Sequence, residues 1–383
     1  MHWEWYLLLI SLLALAYTWV LYPGFLWVAR RLYVHPVRRE PDADEPIFSI
    51  ILPVHNEEKR IAAKLRDCMN LECQQDCLEV IVACDGCTDA TQEIARQFAA
   101  EDERIRILNV NGRRGKSGAQ NVALREARGE IVLLTDVDTM MPRETLKLLG
   151  GDFTDPEVGA VSVAVYFGSP DNAVSTGQSL YWRFELFLRS TESDLGILAT
   201  GSGQALALRR ELFRPLPPFY GDDCIIPLDV RLQGYRVLHE ERIHVFDTMP
   251  HTIEGELRTR ARMTTRNWTG TLARPGILNP FRHPFTALGL ISHKLLRWLT
   301  PFYLMLCFVA SSGLALRDKA TYFWILQVLF YMFAIIGWRR TKRKLPAGIF
   351  GYAFSFCLAN VGFLLGMMKV VRQQRIVAYQ PSE

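Results

Sequence analysis

The chain has 383 residues, of which 49% are hydrophobic and 22% are charged, and its formal net charge at pH 7 is +4. This length suits one large domain or two ordinary domains. The small positive charge comes with no zinc-finger spacing and no basic stripe outside the flanks of the apolar runs, so no nucleic-acid partner is expected. The distribution of the apolar residues is therefore the first informative feature.

Four long runs of the sequence are almost wholly apolar and contain no charged residue. They cover residues 6–28, 298–316, 320–338 and 346–368. At about 1.5 Å per helical residue, a run of this length covers about 30 Å, the thickness of the apolar part of a bilayer. Each run is therefore predicted to be a transmembrane helix rather than a buried core helix.

Basic residues beside these runs predict the orientation of the chain. The segment ARRLYVHPVRRE follows the first run, and RRTKRK, residues 339–344, lies between the third and fourth runs. Because Lys and Arg mark the cytoplasmic side, we predict a multi-pass protein of the inner (plasma) membrane with residues 29–295 in the cytoplasm. An even number of spans places the C-terminus outside, although it carries Lys369, Arg372 and Arg375. This leaves open whether one of the four runs is re-entrant.

Strand-like and helix-like segments alternate after the first apolar run. The segment GKSGAQN predicts a helix start at Ser117, with Gln120 as its capping partner. The alternation predicts an α/β domain with a parallel sheet, whose ligands bind at the carboxyl ends of the strands. The strands are predicted at residues 48–54, 78–83, 104–110 and 131–135.

The sequence contains Asp-x-Asp twice, and the predicted sheet distinguishes the two copies. Asp42 and Asp44 precede the first strand and are interpreted as part of a solvated linker, whereas Asp136 and Asp138 follow the strand IVLLT directly. Residues i and i+2 of an extended chain point the same way, so these two carboxylates repel each other unless a cation lies between them. Mg²⁺ or Mn²⁺ would satisfy the pair together with substrate phosphates. The alternative is a strand end with solvated aspartates.

Six motifs follow one another along this domain, and their order is more specific than any one of them. They are PVHNEE (53–58), ACDGCTDAT (83–91), GKSGAQN (115–121), LTDVDT (134–139), TGSGQALALRR (200–210) and GDDCIIPLDVRLQGYRV (221–237). The series resembles the membrane-anchored family 2 glycosyltransferases of bacterial exopolysaccharide or glycolipid synthesis. The resemblance covers about residues 47–270 and implies their Rossmann-like nucleotide-diphospho-sugar transferase fold, called GT-A.

The apolar runs and the resemblance together predict the domain organisation. The segment RHPFTALGLISHKLLRW, residues 282–298, is predicted to be either an amphipathic helix at the membrane surface or a cytoplasmic connecting helix. The predicted order is an N-terminal transmembrane helix (1–28), a basic juxtamembrane linker (29–46), a cytoplasmic GT-A catalytic domain (47–255), a basic and amphipathic membrane-interface region (256–297), three transmembrane helices (298–372) and a tail (373–383).

The resemblance implies roles for individual residues. Asp223 would be the catalytic base, with a pKa raised by the like charge of Asp222, and Asp138 would be the ligand of Mg²⁺ or Mn²⁺. Simpler alternatives are a turn at Asp85, an exposed loop lysine at Lys116 and a helix N-cap at Asp222 or Asp223. The residues implied to bind the nucleotide-sugar are Glu57, Asp85, Lys116, Asp136, Arg262 and Arg266. Those implied to form the loops around donor and acceptor are Gly201, Ser202, Gly203, Asp222 and Trp268.

The resemblance also implies the reaction. It is inverting transfer of a hexose from a nucleotide-diphospho-sugar, expected to be a UDP-sugar, to a lipid-linked acceptor at the bilayer. Processive synthases of the family carry Gln-x-x-Arg-Trp, whereas in RARMTTRNW Arg262 stands where Gln would and Asn267 separates Arg266 from Trp268. Polymerisation is therefore not expected, and a processive synthase and a catalytically silent nucleotide-sugar-binding subunit remain the alternatives.

Overall fold

The computed structural model describes most of the chain. It covers residues 3–40, 45–73, 77–167, 173–218, 220–247 and 252–374, with the backbone alone for 173–178. The predicted linker pair Asp42 and Asp44 and the tail beyond residue 374 lie outside the described residues.

The strands of the described residues form one mixed sheet in the order β3-β2-β1-β4-β6-β5-β7. They are β1 Phe48–Val54, β2 Leu78–Asp85, β3 Ile105–Val110, β4 Ile131–Thr135, β5 Val158–Phe167, β6 Ala205–Arg209 and β7 Arg236–Asp247. Strands β1 to β4 pair in parallel, β6 runs antiparallel to β4 and β5, and β5 pairs in parallel with β7. The four predicted strands and their parallel arrangement are confirmed, and β6 makes the sheet mixed.

Helices cover the sheet and continue into an apolar bundle. The helices before and around the sheet are α1 Trp3–Ala16, α2 Tyr22–Leu32, α3 Ile61–Met69, α4 Thr91–Glu101, α5 Gly115–Glu126, α6 Thr145–Phe153, α7 Ala173–Asp194, α8 Asp222–Leu232 and α9 Ile253–Leu272. Those that follow are α10 Pro284–Leu290, α11 Leu296–Trp298, α12 Thr300–Ala315, α13 Thr321–Lys342 and α14 Ile349–Val371. One π-helical turn joins α1 to α2, and another joins α10 to α11.

The central strands carry apolar side chains on both faces because both faces of the sheet are covered. In β1, Phe48, Ile50 and Leu52 pack into one hydrophobic core, while Ile51 between them packs into the core on the other face. Parallel sheets with two covered faces require such continuous apolar runs. The same apolar run that predicts a buried strand therefore also places the carboxyl end of that strand inside the domain.

Helix α5 begins at Gly115 rather than at Ser117, so the predicted capping pair Ser117 and Gln120 is wrong. The carboxylate of Asp85 accepts hydrogen bonds from the backbone N–H groups of Arg114 at 2.6 Å and Gly115 at 2.8 Å. Gly115 has φ +73°, a conformation that favours glycine. An acid from the end of β2 thus satisfies the start of α5, and Ser117 lies buried inside the helix.

Among the described residues, three helical segments are long and apolar enough to cross a membrane: Trp3–Leu32, Thr321–Lys342 and Ile349–Val371. The remaining predicted run corresponds to α12, which passes the same test only together with Pro284–Trp298, and the two are bent by 57°. A bend of this size makes the pair a broken span or a re-entrant segment, the possibility that the charge distribution had left open.

In the segment from residue 282 to residue 298, Arg282 at the start is exposed, but the basic side chains near the end do not face the outside. His293, Lys294 and Arg297 are all buried, and each forms an ion pair with Glu185 of α7. The prediction of an amphipathic surface helix is therefore wrong for these residues. The carboxylate that attracts them inward lies about a hundred positions earlier in the chain, where no local pattern connects it to them.

Glycines bring α9 close to α14. A Cβ atom at Gly366 would lie 2.6 Å from Thr264 Cβ and 2.9 Å from the carbonyl oxygen of Ala261. A Cβ at Gly362 would lie 2.6 Å from Arg260 Cβ. This contact ties the helix beside the sheet edge to a helix long enough to span the membrane.

We expect Gly366→Ala to destabilise the protein by about 1–3 kcal/mol, because the added methyl overpacks a backbone contact. Gly151→Ala is the matched control, since Gly151 is also helical and a Cβ there has open space. Alanine favours helix by up to about 1 kcal/mol over glycine. Thermal unfolding in detergent should therefore show a lower midpoint for Gly366→Ala and an equal or higher one for Gly151→Ala. Equal midpoints for both variants would contradict the close α9–α14 contact.

Candidate active site

The carboxyl ends of β2 and β4, the start of α5 and the start of α8 meet at one edge of the sheet. Lys116, in the first turn of α5, connects them. Its Nζ lies 2.7 Å from Asp136 Oδ1 and 3.0 Å from Asp222 Oδ2, and it donates a 3.1 Å hydrogen bond to the carbonyl of Gly203. Lys116 is therefore not an exposed loop lysine, and four of the predicted site residues are brought together.

The charges of this group set its protonation. Burial alone would lower the pKa of Lys116, but Asp136 and Asp222 outweigh it and raise that pKa. Burial would raise the pKa of Asp222, but Lys116, Arg266 and a hydrogen bond from Gln120 lower it to about 2. At neutral pH Lys116 is thus cationic and Asp222 is ionised.

Asp223 sits beside this group in a different environment. Burial and, second, the charge of Asp222 raise the pKa of Asp223, as the sequence predicted. Asp222 and Asp223 are the first two residues of α8, its N-cap is Gly221, and no side chain caps it. The N-cap alternative is therefore wrong. A carboxylate with a raised pKa, lining a cavity, is suited to accept a proton.

Asp136 and Asp138 follow β4 with different surroundings. Burial raises the pKa of Asp136 to about 6 despite the nearby Lys116. Asp138 is exposed, and none of the described residues makes a hydrogen bond or ion pair with it. Within the described ranges no cluster of three or more His, Cys, Asp or Glu side chains is placed to hold a metal ion. An ion here would thus take most of its oxygen ligands from phosphates and water, which is how Mg²⁺ is usually held.

Glu57 and Asp85 lie near Asp136 and Asp138, at the carboxyl ends of β1 and β2. Burial raises the pKa of Glu57, and the charge of Asp138 adds to this effect, so both carboxylates face the same crevice. Asp85 is buried, and both of its oxygens accept backbone hydrogen bonds from the start of α5. The geometry therefore gives Asp85 a positioning contact with the segment that carries Lys116.

The loop Gly201–Ser202–Gly203 lies against both acids of α8. The backbone N–H of Gly201 donates to the carbonyl of Asp223 at 2.8 Å. A Cβ atom at Gly203 would lie 3.7 Å from Lys116 Nζ and 3.8 Å from Asp222 Oδ1. Ser202 Oγ accepts a 2.7 Å hydrogen bond from Arg189 of α7. The small residues of this loop thus let the backbone approach the charged group.

Helix α9 presents several basic residues, but not all to the same place. Arg266 donates to the carbonyl of Tyr220 next to the α8 acids, and Trp268 packs against Trp298 with ring centroids 5.9 Å apart. The described residues lining the cavity with Asp223 include Arg260 but not Arg262. Residues two positions apart in a helix are separated by about 200° around its axis, so Arg262 lies on the opposite side of α9 from Arg260.

Four basic residues that line the cavity with Asp223 were not predicted as site residues: Arg189, Arg260, Lys294 and Arg297. Arg260 is the first residue of RARMTTRNW. It lies two positions before Arg262, the residue that the family motif suggested. Arg189 lies in α7, outside every quoted motif, and only the folded structure brings it to Ser202.

Comparisons with known proteins agree with this geometry. Residues 49–216 match the family model for glycosyl transferase family 2. The chain is 38% identical over 109 residues to glycosyltransferase AglD of Haloferax volcanii, covering 27% of this chain and 18% of that protein. It is 28% identical over 177 residues to beta-monoglucosyldiacylglycerol synthase of Trichormus variabilis, covering 45% and 38%. The chain thus spans well under half the length of these two curated relatives.

A solved structure has the same architecture over nearly the whole chain. It is the mannosyltransferase PcManGT of Pyrobaculum calidifontis in complex with GDP-Man and Mn²⁺, with a TM-score of 0.74 and 22% identity over 96% of this chain and 100% of that one. The mixed sheet, with its acids after β4 and at the start of α8, is thus a GT-A glycosyltransferase domain joined to helices able to cross a membrane. Residues 49–216 of this chain thus form a glycosyl transferase family 2 domain.

Proposed function

We propose that the chain is an inverting, metal-dependent glycosyltransferase that moves a sugar from a nucleotide-diphospho-sugar to a lipid-linked acceptor at the membrane. The observation that carries this proposal is the cavity beside Asp223. Its lining residues include Asp223 at the start of α8 and Phe363 of the membrane-spanning candidate α14. A proton-accepting carboxylate therefore shares one cavity with the part of the molecule that meets lipid.

On the donor side, Asp136, Asp138 and Lys116 surround the place where a diphosphate would lie. Asp138 would hold Mg²⁺ or Mn²⁺, which would neutralise the charge that develops on the departing diphosphate. Lys116 is held in place by Asp136 and Asp222 and adds a fixed positive charge at the same edge. Glu57, Asp85 and Arg266 border this edge and complete the proposed nucleotide pocket.

On the acceptor side, Asp223 takes the proton of the attacking hydroxyl. Asp222 assists by its negative charge, which raises the basicity of Asp223 while Lys116 keeps Asp222 itself ionised. Because the base and the diphosphate site lie on different sides of the reacting carbon in a direct displacement, the anomeric configuration inverts. The loop Gly201–Ser202–Gly203 would position the acceptor beside Asp223.

The relatives support a lipid acceptor and leave the nucleotide undecided. The synthase of Trichormus variabilis is named for a glucosyldiacylglycerol product, and the mannosyltransferase structure holds GDP-Man and Mn²⁺. The expected UDP-sugar donor is therefore still a prediction from resemblance. The same holds for the cytoplasmic placement of the catalytic domain at the inner membrane and for a role in cell-surface polysaccharide or glycolipid synthesis.

A release assay tests the proposed function. Purified protein in native-lipid nanodiscs is incubated with UDP- and GDP-hexoses, with Mn²⁺, Mg²⁺ or EDTA, and nucleoside diphosphate is measured together with sugar incorporated into lipid. We expect metal-dependent release coupled to transfer of one sugar per acceptor. Long products would favour the processive synthase, and nucleotide binding without any release across the panel would favour the silent binding subunit.

The raised pKa of Asp223 predicts the acid limb of the pH profile. The base works only when deprotonated, so kcat/KM should fall as pH decreases through an inflection above the ordinary aspartate value of about 3.9. Asp222→Asn removes the like charge that raises the pKa of Asp223. This variant should move the inflection to lower pH, whatever its effect on the plateau. An inflection that stays in place or rises would contradict the coupling of the two acids.

A further inference from the structure

The cavity beside Asp223 is a small pocket between the sheet domain and the apolar helices. Its volume is about 50 Å³. One water molecule needs about 10–15 Å³ of such space. The pocket therefore admits a group the size of several waters, but it is too small for a complete lipid headgroup. Tyr181, Trp298 and Phe363 supply apolar walls.

The charged residues that line this pocket are unevenly balanced. Arg189, Lys294 and Arg297 all form ion pairs with the single carboxylate of Glu185. All three cations and Glu185 are buried. Several buried cations on one carboxylate are costly unless a further anion accompanies them.

The excess of basic residues belongs to the side chains that line the pocket. Arg260 also lines the pocket and has its own partner, Glu256, at 2.5 Å. Among the described residues, the wall of the pocket holds four basic residues but only two carboxylates, Glu185 and Asp223, because Glu256 and Glu192 lie outside it and pair with Arg260 and His293. The guanidinium of Arg260 also lies over the ring of Tyr181, 3.9 Å from its centroid, so it is held at the pocket wall.

Arg297 points unused donors into this region. Its side chain is only 2% exposed, and its Nε and Nη1 atoms have no hydrogen-bond partner among the described residues. Buried donors without partners are rare in native proteins and indicate a missing acceptor group. An anionic oxygen would both pair with these donors and balance the charge.

We propose that the pocket binds the phosphate group of the lipid acceptor, through Arg260, Lys294 and Arg297, while Asp223 faces an acceptor hydroxyl. This assignment rests on the function proposed above and names its acceptor class: a membrane lipid whose headgroup bears both a phosphate and a free hydroxyl. In the transfer, the hydroxyl proton goes to Asp223, the oxygen forms a bond to the anomeric carbon, and the nucleoside diphosphate leaves with the electrons of the broken bond.

The donor diphosphate is a poorer occupant of this pocket. Neither Lys116 nor Asp138 is among the described residues that line it, whereas Phe363 of α14 and Trp298 of α11 are. The pocket is therefore continuous with the helices that meet the bilayer and separate from the acids after β4. A phosphate at this position would be delivered from the membrane side.

The test uses the full chain in detergent and native mass spectrometry with two lipids that differ only in phosphate: phosphatidic acid and diacylglycerol of the same acyl chains. We expect phosphatidic acid to be retained about tenfold or more over diacylglycerol, since hydrogen bonds to charged groups are involved. Lys294→Gln and Arg297→Gln should each lose most of this preference, and Arg282→Gln, which changes an exposed arginine, should keep it.

The variants also have a readout that does not depend on lipid. Each variant leaves Glu185 paired with His293 and with two of Arg189, Lys294 and Arg297, so both proteins should unfold close to the wild-type temperature. Lys294→Gln keeps the test valid if Arg297→Gln does not fold. Equal retention of the two lipids, or unchanged preference in both variants, would overturn the proposal.

Two further measurements distinguish this proposal from its alternatives. Inorganic phosphate is added alone: thermal stabilisation by it without any preference for phosphatidic acid would assign the pocket to a free anion and overturn the acceptor assignment. Binding of nucleotide with Mn²⁺ is measured in the same preparations. If the wild type binds nucleotide but shows no lipid preference, the assignment of the pocket is wrong and the proposed function stands. If the wild type does not bind nucleotide, the proposed function itself is wrong.

Discussion

Asp223→Asn is expected to lower the transfer rate by about 10²–10⁴-fold, the usual contribution of a general base. Asparagine has nearly the same shape as aspartate but cannot accept the hydroxyl proton. The side chain lines the cavity and is not an ion-pair partner of Lys116, so the donor site should stay assembled. Nucleotide binding with Mn²⁺ should therefore change little.

The measurement is single-turnover transfer together with equilibrium nucleotide binding. Glu103→Gln is the control, because Glu103 is an exposed carboxylate on the loop before β3. It should leave both quantities unchanged. Transfer by Asp223→Asn within a few fold of the wild type would remove Asp223 from the role of base.

Asp138→Ala is the second change with a large expected effect. Asp138 is the exposed carboxylate after β4 that makes no hydrogen bond or ion pair with a described residue, so its removal should not disturb the fold. A metal ion contributes several kcal/mol of charge stabilisation to such a transfer. We expect turnover to fall by about a hundredfold or more.

Metal titration separates this effect from general damage. The apparent affinity for Mn²⁺ in the presence of nucleotide should weaken, and excess Mn²⁺ should restore part of the activity. Asp138→Asn, which keeps one oxygen ligand, should lie between alanine and the wild type. A variant with normal turnover and normal Mn²⁺ dependence would refute the assignment of Asp138.

The sequence was most informative where a side chain's role follows from local periodicity. The strand IVLLT and the acids that follow it are readable within about ten residues, and they led to the parallel sheet and to Asp136 and Asp138, whereas the role of Asp223 came from the resemblance to the family. The sheet then explains why they meet, because the carboxyl ends of parallel strands share one edge.

Contacts between distant segments were not readable in the same way. Asp85 was interpreted as a nucleotide-sugar-binding acid or a turn residue, and no pattern in the sequence indicated that its carboxylate accepts a hydrogen bond from the start of α5, thirty positions further on. The basic residues around 293–297 resembled a membrane-surface helix because their partner Glu185 lies in α7. In both cases the polar side chain points toward a partner that is distant in the sequence, and only the tertiary structure brings that partner close.

The register of α9 shows a finer limit. The family motif drew attention to Arg262, whereas Arg260 is the one that shares the cavity with Asp223. A helix turns by about 100° per residue, so a shift of two positions moves a side chain to the other face. A motif that departs from its family pattern cannot by itself say which face is used.

Anomalous diffraction from a crystal soaked with Mn²⁺ and a non-hydrolysable nucleotide-sugar would show directly whether Asp138 and the diphosphate hold the metal ion together. We expect one strong manganese peak within coordinating distance, about 2.0–2.3 Å, of an Asp138 oxygen and of the diphosphate. Lys116 should lie on the same diphosphate. A well-ordered nucleotide with no manganese near Asp138, or with its diphosphate away from the end of β4, would contradict this expectation.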